Sequence, residues 1–509
     1  MRLICRMLFA LAIAPGMKET AEAVEHPIET ALAPGQHVLL DQLLASREAQ
    51  HPGESAFRLL SEGHEAFVVR SHSAQLAMRS LDIQTFIWRF DLTGKFLAHR
   101  VLEAADRGVR VRLLVDDMDA RDNHDRFAAL AVHPNIAVRI FNPFVSRRGI
   151  LRLIGEGLFD FKRLNRRMHN KSWVVDNRVA IVGGRNLGDA YFNASEALNF
   201  VDLDFVMFGP IVRDASRSFD DYWNSSAAHP IEKLDPAGID EHSLASLRVA
   251  LSEAAAAASN SRYADALRAD DGVQRLVNGD WPMQWSAHYR FTADDPRKAT
   301  TDKHAPQHAY VRQSLLQAVR RVRADLVLIS PYFVPGEDIT ELLSDAVRQD
   351  RRVRVLTNSL VATDVSAVHG GYSRYRGALL DGGIELWELK PGPENRPQHF
   401  RGPAGASLHT KALLIDHSTL FVGSYNLDPR SAWLNCEQGV LVESEALAQE
   451  MADLLARQTD GQRAWQVKLE DGVVRWSDGA SVFDTDPHSS LAQRLQAWLV
   501  RILRIEPHL

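Results

Sequence analysis

Cysteine is almost absent from this chain. Its 509 residues hold only Cys5 and Cys436, so neither a disulfide framework nor a thiolate metal site can be built. Long apolar runs are missing too. No stretch past the N-terminus approaches the roughly 18 apolar residues of a membrane span, which leaves only peripheral membrane contact. There is no basic surplus either: the formal net charge is −6, against the excess of Lys and Arg that a general nucleic-acid binder displays, so no nucleic-acid partner is expected. The remainder is ordinary globular composition, 45% apolar and 24% charged, enough to bury the cores of two domains.

The first residues set Arg2 and Arg6 before an apolar run from Met7 to Ala14, with Ala-x-Ala at Ala21 to Ala23. That is the outline of an export signal, but the run is short, and Lys18 and Glu19 stand where a cleavage region is usually neutral. A disordered leader and a start at Met17 are the competing readings. Export is not favoured.

What the chain does have is a doubled motif. RMHNKSWVVD ends at Asp176 and SLHTKALLID ends at Asp416; each holds a His, a Lys two residues on, and an Asp five residues after the Lys. Side chains alternate along a strand, so His169 and Lys171 are expected on one face, as are His409 and Lys411, putting a nucleophile and a cation in one pocket. Asp176 and Asp416 lie an odd number of residues from the Lys and are expected to anchor the strand ends. After each motif comes a hydrophobic strand and a small polar turn: Gly183, Gly184 and Asn186 in one copy, Gly423, Ser424 and Asn426 in the other. Small residues would let a ligand approach the backbone, whose amides could donate to phosphate oxygens. Asp202 and Glu437 follow. An attacking His needs its second nitrogen held by an acceptor, and these two acids are the candidates.

Other landmarks repeat at nearly the 240-residue offset of the two His. RVRLLVDD (Arg110 to Asp117) is answered by RVRVLTNS (Arg352 to Ser359), and DIQTFIW (Asp82 to Trp88) by DLVLISPYF (Asp325 to Phe333). The chain reads as a tandem duplication with one motif in each half. Within each half, amphipathic helices alternate with apolar strands. In KFLAHRVLEAADRG, Phe96, Leu97, Val101 and Ala104 recur at helical spacing before Gly108. Such alternation predicts a mostly parallel sheet with helices on both faces.

Two stretches are apolar on one side and cationic around it. Ile150 to Phe161 carries Ile150, Leu153, Ile154, Leu158 and Phe161 among seven Arg and Lys neighbours, and Leu491 to Ile505 carries Trp498 with Arg494, Arg501 and Arg504. Both suit the surface of an anionic bilayer, and a surface helix packed on its own domain is the alternative. The Pro- and Gly-rich stretch Pro391 to Ala406 precedes His409 and is a candidate lid or acceptor-binding edge. Trp281 and Trp285 are core residues or an interfacial pair.

The doubled motif resembles the phospholipase D superfamily, and the strings Asn165 to Lys171, Gly183 to Phe192 and Gly423 to Glu437 resemble those of bacterial cardiolipin synthases of the branch without an N-terminal transmembrane pair. Cys436 departs from that pattern, where a small hydroxyl residue is expected. The resemblance implies an α/β fold of two tandem α/β/α domains related by pseudo-twofold symmetry. A leader is expected over 1–54, the first domain over 55–250, a connection over 251–275 and the second domain over 276–460, with a hairpin and amphipathic helix over 461–509. It also implies a catalytic set of His169, Lys171, Asp176, His409, Lys411 and Asp416, supported by Gly184, Asn186, Asp202, Ser424, Asn426 and Glu437. No cofactor and no metal are called for, because two ammonium groups can carry the charge that grows on a phosphodiester under attack. One His would become a phosphohistidine while the other acts as acid and then base. The implied substrates are phospholipids at the bacterial inner membrane: cardiolipin would form from phosphatidylglycerol and either a second phosphatidylglycerol or phosphatidylethanolamine. Hydrolysis to phosphatidic acid is the alternative outcome.

Overall fold

The helix–strand alternation folds into two large mixed sheets, one per half, in a computed structural model that describes residues 27–33, 35, 39–144, 160–235, 240–301, 308–392 and 405–503. In the first half, Ser80–Thr85, Arg110–Asp116 and Ile136–Phe141 run parallel. Helices Leu92–Asp106 and His124–Ala131 make the crossovers. Asp91 caps the first of these by accepting the Gly94 amide, and Gly108, at φ 91°, turns the chain after its end. The second half repeats this with Asp325–Ile329, Arg352–Asn358 and Glu385–Leu389.

Within these two sheets, among the described residues, only the triplets are parallel. The remaining pairs in both sheets are antiparallel, so the sheets are less parallel than the alternation predicts. The reason is local: each motif feeds a hairpin, Ser172–Val175 to Val179–Gly183 and Ala412–Ile415 to Thr419–Gly423. Both hairpins turn on two residues at positive φ, Asp176 and Asn177 (52° and 54°) and Asp416 and His417 (49° and 54°). That is the turn whose twist suits paired strands, and Asp and Asn tolerate it.

The last Asp of each motif therefore sits in a turn and faces backbone. Asp176 accepts hydrogen bonds from the amides of Met78, Arg79 and Ser80, and Asp416 from those of Arg323, Ala324 and Asp325. Burial works against the charge on Asp416, and the three amides outweigh it, lowering its pKa. The shared role makes Ser80 the counterpart of Asp325, two residues away from the pairing of Asp82 with Asp325 suggested by sequence.

The faces of the two sheets meet. Phe57, Val174 and Phe205 of the first half share a core with Val327, Leu414 and Val440 of the second, so each sheet has helices on one face and its partner half on much of the other. The connection is three helices, Glu241–Ser259, Arg262–Arg268 and Asp271–Val277, whose Leu251, Tyr263 and Val273 join the first-half core. Gln284–Ser286 still pairs with Ser55–Leu60, and the second sheet begins at Tyr289. Trp285 stacks on His51 at 4.1 Å and Arg58 covers Trp281, both away from the motifs. The hairpin Ala464–Glu470 to Val473–Ser477 turns on Asp471 and Gly472 and extends the second sheet rather than standing apart from it. Part of the expected leader is also integral: Asp41 and Glu48 of the helix Leu39–Gln50 pair with Arg178. Residues 145–159, most of one candidate membrane stretch, and 393–404, most of the candidate lid, lie outside the described residues.

If Asp176 only anchors, Asp176→Ala should cost about 1–3 kcal/mol of stability by stranding three amides. Denaturant unfolding would register that loss, while turnover per folded molecule stays within a few-fold of the parent.

Candidate active site

The two motif His are delivered by matching backbone contacts between the halves. Met168 bridges in parallel to Cys436, and the His169 amide donates to Cys436 O at 2.8 Å. In the mirrored contact, Leu198–Val201 pairs in parallel with Gly405–Leu408, and the His409 amide donates to Val201 O at 2.7 Å. Each His is thus held beside the residue that precedes the other half's acid. The strands themselves start only at Ser172 and Ala412. His169, Lys171, His409 and Lys411 stand just before them, not within them as the alternation argument supposes.

The side chains then cross between halves. His169 Nδ1 lies 2.9 Å from Glu437 Oε2, and His409 Nδ1 lies 2.5 Å from Asp202 Oδ2. A ring nitrogen facing a carboxylate carries the proton, which leaves Nε2 as the lone-pair nitrogen in both rings. Each Lys curls back on its own His: Lys171 Nζ donates to His169 O at 2.6 Å, and Lys411 Nζ to His409 O. All four groups are buried, and each imidazole feels both ammonium groups. Aromatic rings wall the cluster, with Phe86 5.1 Å from His169 and Tyr191 and Phe200 5.4 and 5.1 Å from His409.

Two of the small residues after the motifs, Gly184 and Ser424, serve the acids. A Cβ at Gly184 would lie 2.2 Å from Asp202 Oδ1, so glycine makes room for that carboxylate. At the matching position Ser424 donates from Oγ to Glu437 Oε2 at 2.5 Å, and Ser431 donates to Oε1 at 2.7 Å. The amides expected to meet phosphate are already used: Gly184 N donates to Leu203 O and Ser424 N to Gln438 O. Asn186 is also engaged locally, accepting from Ile87 N and donating to Tyr191 Oη. The Oδ1 of Asn426, by contrast, is buried without a hydrogen-bond partner.

Burial sets the electrostatics. It lowers the pKa of Lys171 to about 7 and of Lys411 to about 8, each against a nearby carboxylate, Glu437 and Asp202 respectively. It also lowers both imidazoles; for His409 the Lys411 ammonium adds to the effect. Glu437 and Asp202 are held below the carboxylate range because their His and Lys neighbours outweigh desolvation. Burial thus favours neutral imidazoles and makes the two ammonium groups expensive to keep charged.

Two positioning residues escaped the sequence reading. Asp116 Oδ2 accepts the amide of Met168, and Asn358 bonds both the amide and the carbonyl of Leu408, so each clamps the residue before a His. Both end the duplicated strands Arg110–Asp116 and Arg352–Asn358. A polar residue closing a buried strand in both copies was the available signal. His369, Glu388 and Asp486 have the spacing of a metal site, but the Arg376 guanidinium lies among them, 2.8 Å from His369 Nε2, 3.1 Å from Asp486 and 3.3 Å from Glu388.

Two outcomes follow from this geometry. Dimethyl phosphate stays a monoanion through neutral pH, so its affinity reports the protein. Calorimetry should find binding strongest below about pH 7 and weakening above it, by up to about tenfold per pH unit for each ammonium lost, because a deprotonated Lys no longer attracts the anion. Gly184→Ala should displace Asp202 from His409 and lower kcat by about 100-fold, whereas Ser424→Gly, which adds no atoms, should cost less in the same assay.

Comparison with known proteins agrees with this architecture. A family described as "cardiolipin synthase, PLD-like domain" matches residues 72–223 and 315–458. Cardiolipin synthase C of Escherichia coli K12 is 39% identical over 467 residues, covering 90% of this chain and 97% of that protein. A cardiolipin synthase of Geobacillus thermodenitrificans is 26% identical over 80% of this chain and 66% of its own length. The solved phosphatidylserine synthase of Haemophilus influenzae Rd KW20 shares the fold, with a TM-score of 0.57 at 13% identity over 91% of this chain and 98% of its own. The chain belongs to the phospholipase D-like cardiolipin synthase family.

Proposed function

We propose that the protein makes cardiolipin by phosphatidyl transfer, with both motif His as the reacting groups. The observation that carries this reading is the pair of imidazoles with Nδ1 on a carboxylate, each beside both buried ammonium groups. That set can attack phosphorus and hold the charge on its oxygens.

In the proposed sequence, His169 Nε2 attacks the phosphorus of the donor lipid, forming a P–N bond as the P–O bond to the headgroup alcohol breaks. The bound phosphodiester anion offsets the two ammonium groups and lets His409 carry a proton, which it gives to the departing alcohol. A terminal hydroxyl of phosphatidylglycerol then returns a proton to His409 as its oxygen attacks the same phosphorus. The P–N bond breaks and cardiolipin leaves. Asp202 and Glu437 hold the rings and balance their positive forms. Asp176 and Asp416 act only through the backbone. With phosphatidylethanolamine as donor the released alcohol is ethanolamine; with phosphatidylglycerol it is glycerol. The substrates are bilayer lipids, and no described helix is long and apolar enough to cross a membrane, so the protein would work peripherally at the bacterial inner membrane.

Purified protein given phosphatidylglycerol, with and without phosphatidylethanolamine carrying a labelled headgroup, should yield cardiolipin by mass spectrometry, and label release would identify the donor. Phosphatidic acid as the sole product would replace transfer with hydrolysis. His169→Ala and His409→Ala should each lower kcat by about 10²–10⁴-fold. Acid-quenched protein labelled in the phosphatidyl group should lose its phosphohistidine signal in His169→Ala and retain it in His409→Ala; the reverse would exchange the two roles.

A further inference from the structure

The C-terminal helix Leu491–Leu503 presents an unusual face. Leu491, Leu495, Trp498, Leu499 and Ile502 follow one another at spacings of four, three, one and three, and they are 83%, 57%, 54%, 44% and 55% exposed. These spacings put all five on one side of a helix. The opposite side is small and buried. Ala497 and Val500 pack on the helix Ser366–Asp381 so closely that a Cβ at Gly370 would come within 2.6 Å of Ala497 O and 2.9 Å of Val500 Cβ. The helix therefore uses small residues to dock on the protein and leaves its large ones outward, the reverse of a helix recruited to a core.

Hydrogen bonds tie this helix to the strand end that positions the active site. Gln493 Nε2 donates to Leu360 O, two residues beyond Asn358, and Asn358 holds the backbone of Leu408, which precedes His409. His369, on the helix beneath, meets Asn358 O as well. The helix that carries the apolar face thus docks at the end of the second sheet that carries the site.

We infer that this face docks on a bilayer containing anionic lipid and so brings the active site to its substrate; the inference rests on the reading that the substrates are phospholipids. Arg501 stands exposed along one edge of the face, where it would meet lipid phosphates, while Arg494 on the same edge is turned back to Ser489 Oγ and Asp486 O. A helix of 13 residues is about 20 Å long. One side of it offers much less than the roughly 800 Å² per partner of a stable protein interface. Shallow insertion among lipid headgroups needs no more than such a stripe.

The full chain and the variant Leu495→Glu/Trp498→Glu would be floated with vesicles of phosphatidylglycerol and phosphatidylcholine, and with phosphatidylcholine alone. The parent should float with the mixed vesicles and bind the neutral ones at least tenfold less, and the variant should lose at least tenfold in affinity for the mixed ones. Turnover of short-chain, monomeric phosphatidylglycerol should stay within twofold of the parent, because these side chains are remote from the reacting atoms. As a second measurement, acyl-brominated lipid should quench more fluorescence in the parent than in Trp498→Phe. Equal flotation of parent and variant, or no quenching difference, would overturn the inference, as would a parental dimer that the variant dissolves, which would assign the face to a second copy of the chain. Failure of both proteins to transfer phosphatidyl groups would instead count against the proposed reaction, since flotation is read independently.

Discussion

The structure depends on two hydrogen bonds that cross between its halves, His169 to Glu437 and His409 to Asp202. Neither half contains a finished imidazole: each supplies a ring without its acceptor and an acceptor without its ring. A buried carboxylate with no partner is costly, and a buried imidazole lacking an acceptor loses its tautomer. Separating the halves would therefore strip both carboxylates of their main partners at once. This explains why the contact is built from backbone as well as side chains, with a short parallel ribbon on one side and a bridge on the other. The register of those few residues decides which nitrogen faces which oxygen.

The two Lys impose the complementary constraint. Burial lowers the pKa of both, and for Lys171 the Lys411 ammonium adds to it, an arrangement that the carboxylates of Asp202 and Glu437 only partly relieve. An anionic phosphodiester between them would complete the neutralisation. In the proposed function, part of the folding free energy is held as an unfilled demand for negative charge, released when substrate arrives.

Much of this was legible in the sequence, and the illegible part has a physical reason. The doubled motif, the alternation of elements and the turn at Asp471 and Gly472 depend on residues near one another in the chain, where periodicity and turn chemistry act directly. Asp176 and Asp416 do anchor, as expected, but from turns that hold three backbone amides each rather than through alternation along a strand that also carries the Lys. By contrast, Asp202 and Glu437 were identifiable as acceptors, but not which His each would meet, because register between distant segments is not written in either one. Gly184 was misread for the same reason: its neighbour is Asp202, brought back by the sheet, so the space that looked reserved for a ligand belongs to a carboxylate. The shift from Asp82 to Ser80 as the counterpart of Asp325 shows the same limit, since similarity of letters is weaker evidence than a shared hydrogen-bond acceptor.

The duplication is also imperfect where it matters most. On one side a short acid, Asp202, is admitted by a glycine; on the other a longer one, Glu437, meets two serine hydroxyls. Likewise the residue before one His is clamped by the carboxylate of Asp116, and the residue before the other by the amide of Asn358. The two imidazoles consequently sit in unequal fields although their backbones are related by a pseudo-twofold axis. Two identical rings that repel each other's charge would already share one proton unequally, and a bound substrate would decide which ring attacks. Unequal acceptors add a fixed bias to that sharing, which would suit the proposed reaction, where one imidazole is neutral and the other protonated.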